Sequence, residues 1–258
     1  SYRLVGSEMC IRDSAGFSRV HQQPASPDAV RAALHATLAC PTASIGSGPS
    51  ARAVVEDFPL PVTGAIYHCG YHHADSFGAA SYLIRHPAGN ILVDSPRFVR
   101  PLVRRLEAWG GVRWMFLTHR DDVADHQKFA DHFGCERILH RGDLRAGTRG
   151  VERILEGVEP VRLADDVVIL PTPGHTEGSA CLLYRDVLFT GDTLAFSPKQ
   201  GRLIAFRGAC WYDWSTLKRS LIGLRAQRFA WVLPGHGHRV HLPTEQMQES
   251  LERCIARM

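Results

Sequence analysis

The sequence predicts an α/β protein with mixed sheets covered by helices on the outside. Three observations carry this. Short apolar runs of strand length recur from residue 64 onward, helical patterns separate several of them, and other runs follow one another at hairpin spacing.

Taken in order, residues 1–14, SYRLVGSEMCIRDS, lack the apolar stretch and basic start of a signal peptide. They read as a non-native assembly artefact, which places the natural N-terminus outside the chain. Residues 26–40 predict a helix, with Ser26 as N-cap, Pro27 at the first helical position, and Val30, Leu34 and Leu38 at helical spacing. The helix stops at Cys40-Pro41. The run from Cys40 to Ile45 resembles the C-terminal Cys-Pro segment of a one-cluster, four-iron ferredoxin. A helix that ends at a proline and carries a buried cysteine is the equally open alternative. One cysteine of four ligands cannot hold a cluster, so a 4Fe-4S group is expected only in a longer natural protein. Residues 15–62 are accordingly read as a cut ferredoxin-like segment, poorly packed for want of partners, followed by a Gly-, Ser- and Pro-rich linker over 46–62.

Residues 63–258 form the main domain. Strands are expected at 65–70, 81–86, 90–94, 113–118, 167–171, 180–184, 187–190 and 230–234. Helices are expected at 98–108, 125–133, 214–226 and 244–257. The chain of 258 residues suits one large domain, or one with a short appendage. With 45% hydrophobic and 22% charged residues it has the balance of a folded globule. No apolar run approaches the roughly 18 residues of a membrane span. The net charge of +4 is scattered, with no basic stripe for nucleic acid. Seven widely spaced cysteines without a C-x-x-C pair suit a reducing compartment, so a cytoplasmic location is expected. The expected partner is a small-molecule substrate, and the oligomeric state stays open.

The chemistry follows the strand ends. One strand runs into His119-Arg120-Asp121-Asp122-Val123-Ala124-Asp125-His126 and another into Thr172-Pro173-Gly174-His175. The others run into Gly191-Asp192-Thr193 and Gly235-His236-Gly237. Loops leaving one edge of a sheet converge, and imidazole and carboxylate are the ligands zinc, iron and manganese share. Gly174, Gly191 and Gly235 permit the tight backbone such loops require.

The ordered set Thr-His…Asp-His, Thr-Pro-Gly-His-Thr-x-Gly-Ser, Thr-Gly-Asp-Thr and Pro-Gly-His-Gly resembles the metallo-β-lactamase superfamily over about residues 64–258. The resemblance implies an αββα four-layer sandwich holding two divalent metal ions, zinc or iron, with manganese a further choice. It implies that His119 and His175 serve one metal, that Asp125, His126 and His236 serve the other, and that Asp192 bridges. Asp94 would support the site from behind. The family's His-x-His-x-Asp-His is lengthened here by two residues, and its middle His is absent. Asp121 takes that place, with Asp122 an acidic competitor. A carboxylate there is similar to the flavodiiron branch and favours iron or manganese.

The implied activity is metal-dependent hydrolysis of an ester, thioester or related bond, similar to the glyoxalase II branch. Asp125 would orient the water and accept its proton, or act purely as a ligand. The alternative is an iron-dependent oxidoreductase of the same fold, either a sulfur dioxygenase or a ferredoxin-linked redox protein. His68, His72 and His73 are placed at the pocket mouth or on the surface. His140 is read as structural, and Lys199, Arg202, Trp211 and Tyr212 as substrate contacts or plain surface.

Overall fold

The computed structural model describes residues 10–12, 18–20, 23–46 and 51–258. Two strands, β1 (Cys10–Arg12) and β2 (Ser18–Val20), pair antiparallel, so the tract 1–14 contains a paired strand. The rest of that tract lies outside the described residues. Helix α1 (Pro27–Ala39) starts as its sequence dictates: Ser26 Oγ accepts from Ala29 N–H at 3.2 Å and Pro27 opens the first turn.

Two sheets build the body. The first runs in spatial order through β3 (Leu60–Thr63), β4 (Ile66–His68), β5 (Tyr82–Ile84), β6 (Ile91–Val93), β7 (Trp114–Phe116), β8 (Glu136–His140) and β9 (Arg153–Leu155). Its first four strands are antiparallel. From β6 to β9 the pairs are parallel, with α2 (Arg100–Ala108) and α3 (His126–Phe133) as crossovers. The second sheet orders β10 (Val161–Ala164), β11 (Val167–Pro171), β12 (Ala180–Tyr184), β13 (Val187–Gly191), β16 (Trp231–Pro234) and β17 (Val240–His241). A hairpin of β14 (Ala195–Ser197) and β15 (Arg202–Ile204), and helices α4 (Trp214–Gly223) and α5 (Thr244–Ile255), complete it.

Alternation along the strands sets the layers. Tyr82, Ile84, Ile91, Val93, Trp114 and Phe116 face Ile169, Leu182, Phe189 and Leu233 in one core between the sheets. The intervening Leu83, Leu92 and Met115 face outward onto Leu102, Leu106 and Phe129 of the helices. On the far side Leu170, Cys181, Leu188 and Val232 meet Leu221, Met247 and Leu251. The result is helix, sheet, sheet, helix, with apolar side chains in all three interlayer spaces.

The front of the chain departs from expectation. Residues 47–50 lie outside the described residues, but the rest of the expected linker has structure. Ala51–Asp57 is a 3₁₀ turn with Val54 buried, Phe58 is buried, and β3 pairs with β4. Nor is α1 loose. Leu34 and Ala39 are buried, Leu38 packs on the outer core of the first sheet, and Arg97 donates to the Leu38 carbonyl at 2.6 Å. Asp57 binds both His35, at 2.5 Å, and Arg31. Val54, Phe58 and Leu60 are scattered among acids and prolines that follow a Gly- and Ser-rich run, which hides this packing from a composition-based reading.

Candidate metal centre

The four motif-bearing loops leave the C-terminal ends of β7, β11, β13 and β16 and meet at one edge of the paired sheets. Ala180 N–H donates to the Thr118 carbonyl at 2.8 Å, and Gly235 N–H to the Gly191 carbonyl at 2.9 Å. These bonds tie the loops together. Gly174 has φ +147, and a Cβ there would lie 2.3 Å from the Leu217 backbone of α4. Only glycine allows that approach.

His119, His175 and Asp192 come together. Asp192 Oδ2 lies 3.8 Å from His119 Nε2 and 3.7 Å from His175 Nε2. Asp121 Oδ2 lies 4.0 and 3.8 Å from the same two nitrogens. Both Nε2 atoms are buried and have no hydrogen-bond partner among the described residues. A buried ring nitrogen left bare is costly, and a cation between the four groups removes that cost. The residues therefore fit a divalent metal.

The tautomer of His119 suits the same role. Thr118 Oγ1 lies 3.0 Å from His119 Nδ1 and 3.0 Å from both oxygens of Asp94. Asp94 also accepts from Thr118 N–H at 2.8 Å. The hydroxyl proton goes to the carboxylate, so Nδ1–H donates to Oγ1, and the Nε2 lone pair faces the site. Burial lowers the His119 pKa to about 4, which keeps the ring neutral and able to ligate. Burial likewise raises Asp94 to about 7.

The second group is Asp122, Asp192 and His236, whose ligand-type atoms all lie within 4.8 Å of one another. His236 Nδ1 is 2.8 and 3.0 Å from the two Asp192 oxygens, while its Nε2 donates to the Phe77 carbonyl at 3.2 Å. Burial pushes Asp192 up, but the His236 hydrogen bond and the facing imidazoles hold it down at about 2. Asp121 is held below the usual carboxylate range, chiefly by His175.

Two residues with ligand roles implied by the family resemblance do not join either group. Asp125 Oδ2 accepts from Phe98 N–H at 2.8 Å and its Oδ1 pairs with Lys128 at 2.7 Å. His126 opens α3 and its Nδ1 takes Arg137 Nη1 at 3.0 Å. The lengthened loop puts Asp122, not these two, beside Asp192. Sequence reading also passed over Asp143. This fully buried carboxylate accepts from Arg120 N–H at 3.0 Å, Thr176 Oγ1 at 2.6 Å and Gly178 N–H at 3.0 Å, and so links the His119 and His175 loops. An acid after a short strand carries no motif that would mark it.

Of the softer candidates, half-buried His68 and buried His72 meet at Nε2, 3.0 Å apart, and His73 lies 3.6 Å from Asp125. His140 caps a turn and bonds to the Gly157 carbonyl. Trp211 and Tyr212 are exposed, and their N–H groups donate to the His175 carbonyl at 2.8 and 3.1 Å. Lys199 is exposed, and Arg202 turns to the Leu203 carbonyl. Among the described residues no helix is long and apolar enough to cross a membrane.

Known proteins extend this picture. The 4Fe-4S single cluster domain of ferredoxin I matches residues 10–47. Hydroxyacylglutathione hydrolase of Citrobacter koseri is 28% identical over 145 residues, 54% of this chain and 55% of that one. The chain thus spans about half the length of the curated relative it matches. A metallo-beta-lactamase superfamily protein from Sulfolobus tokodaii aligns with TM-score 0.52 at 18% identity, covering 75% of this chain and 86% of that one. A metallo-beta-lactamase from Hirschia baltica aligns with TM-score 0.56 at 16% identity, covering 76% and 96%. The family model of the metallo-beta-lactamase superfamily matches residues 74–236, more than half of the sequence, and the chain belongs to that superfamily.

Proposed function

We propose that the protein is a metal-dependent hydrolase acting on an ester, thioester or related bond of a small molecule. The observation that carries this is the pair of bare, buried Nε2 atoms of His119 and His175, aimed at Asp121 and Asp192. When bound, a divalent pair supplies Lewis acidity and an activated water at neutral pH. The chain's own residues do the rest. Asp192 turns Oδ2 to His119 and His175 and both oxygens to His236, so it would serve both positions. Asp121, the most exposed carboxylate of the cluster, is ionised at neutral pH and placed to orient the attacking water and accept its proton. Asp125 is a poorer choice for that step, because its oxygens are already held by Phe98 and Lys128. The hydrolase relative of Citrobacter koseri supports thioesters as the first substrates to try.

His175→Ala and Asp192→Ala are expected to abolish hydrolysis of a model thioester and to lower bound metal, with far-UV circular dichroism unchanged. Near-native turnover in Asp192→Ala would sink the shared centre.

The ferredoxin match over residues 10–47 favours a second reading, an iron-dependent oxidoreductase fed by a cluster. Cys40 stands at the C-cap of α1 with its Sγ 3.6 Å from Thr42 Oγ1. A four-iron cluster there needs three further ligands beside Cys40. Iron rather than zinc bound at the His119 and His175 centre after anaerobic purification favours this second reading, and zinc favours the hydrolase.

A further inference from the structure

We propose that Asp122, in place of the family's Asp-His pair, completes the second metal position, making it an oxygen-rich seat for a hard divalent cation such as manganese or ferrous iron. This rests on the metal centre proposed above and assigns one of its ligands and the selectivity of one of its two positions.

Asp122 is completely buried, and neither Oδ1 nor Oδ2 has a hydrogen-bond partner among the described residues. The nearest imidazole atom recorded beside it, His119 Nδ1 at 3.9 Å, is engaged with Thr118. A bare carboxylate in the interior calls for a cation. The surroundings shape a place for one. The ligand-type atoms of Asp122, Asp192 and His236 lie within 4.8 Å of one another. The Phe77 carbonyl occupies His236 Nε2, which leaves Nδ1 for the carboxylates. Gly235 closes the floor, since a Cβ there would fall 2.7 Å from Asp122 Oδ2 and 3.2 Å from Asp192 Oδ1. The backbone is thus drawn in against both carboxylates, as a ligand loop needs.

The family's other two candidates have partners of their own. His126 Nδ1 is taken by the Arg137 guanidinium, and Asp125 by Phe98 N–H and Lys128. Two carboxylates and one imidazole remain, a harder donor set than the two imidazoles and two carboxylates around His119. Oxygen donors favour manganese and ferrous iron relative to softer sites, so the two positions should prefer different ions.

The test uses the full chain stripped of metal by chelation, titrated anaerobically with one equivalent of zinc and then with manganese. Elemental analysis and the electron paramagnetic resonance of manganese report uptake. The wild type is expected to hold one zinc and one manganese. Asp122→Asn, nearly isosteric, is expected to keep the zinc and lose the manganese. Asp122→His is expected to exchange the manganese for a second zinc. Asp125→Asn and His126→Gln are expected to keep both ions. Zinc uptake by each variant verifies its fold. Manganese retained by Asp122→Asn, or lost from Asp125→Asn or His126→Gln, overturns the assignment. A wild type that takes zinc but no manganese overturns the selectivity alone, whereas one that takes neither ion overturns the metal centre itself.

Discussion

Thr118 and Asp143 act on the site without facing it. Thr118 fixes the tautomer of His119 through Asp94, so Thr118→Val removes the acceptor for Nδ1–H and frees the ring to turn. The expected loss is about 10- to 100-fold in affinity at the His119 position, read by competition with a chromophoric chelator. Asp143→Ala strands three donors in the interior and should destabilise the fold by about 2–4 kcal/mol while loosening both histidine loops. Sequence alone made His119, His175, Asp192 and His236 legible as candidates, because each follows an apolar strand and a tight turn. Asp125 and His126, implied as ligands by the resemblance, instead meet Phe98 N–H, Lys128 and Arg137. Their order in the motif says nothing of Arg137, a buried arginine on β8 that holds the His126 ring.

At the scale of elements, the eight strands and five helices expected from apolar periodicity all appear, with ends shifted by at most three residues. The strands that went unread are short and edge-placed, or carry charge. β8 is the instructive case. Arg137 sits inside it, buried, because Glu152 takes its guanidinium at 2.7 Å and Gly150, Gln127 and His126 take further donors. Pattern reading counts arginine as surface and breaks the strand there. The same pair sets a pH dependence. The Arg137 hydrogen bonds lower Glu152 from its ordinary 4.5 to about 2. A depressed carboxylate stabilises the fold above its unfolded pKa, and that contribution fades as pH falls from 4.5 towards 2. Glu152→Gln should therefore flatten the loss of stability across that window, measured as denaturant midpoint against pH. A second element-scale expectation concerns Gly174. Its left-handed-side φ and the closeness of α4 mean that Gly174→Ala should cost roughly 2 kcal/mol or more and displace His175. Thermal melting and metal content would fall together.

On the scale of the whole molecule, the front segment belongs to the structure more than its composition suggested. Phe58 lies against His35 of α1 on one side and His68 on the other, and His68 touches His72. Removing residues 1–46 uncovers the surface on which Leu38 packs beside Phe58. The expected cost is about 2–4 kcal/mol, visible as a lowered melting temperature. An unchanged melting temperature would mark α1 as an appendage.

The division of the candidate ligands between the two sheets has a mechanical consequence. His119, Asp121 and Asp122 follow β7 of the first sheet, whereas His175, Asp192 and His236 follow β11, β13 and β16 of the second. An ion held by both sets is a cross-link between two halves of the chain that otherwise meet through the apolar core and hydrogen bonds such as those of Thr118 and Asp143. Metal uptake then resembles closing a clasp more than filling a pocket, since its free energy opposes the parting of the sheets. Cut in the segment between β9 and β10, the two fragments would reassociate faster and hold longer with metal than without it.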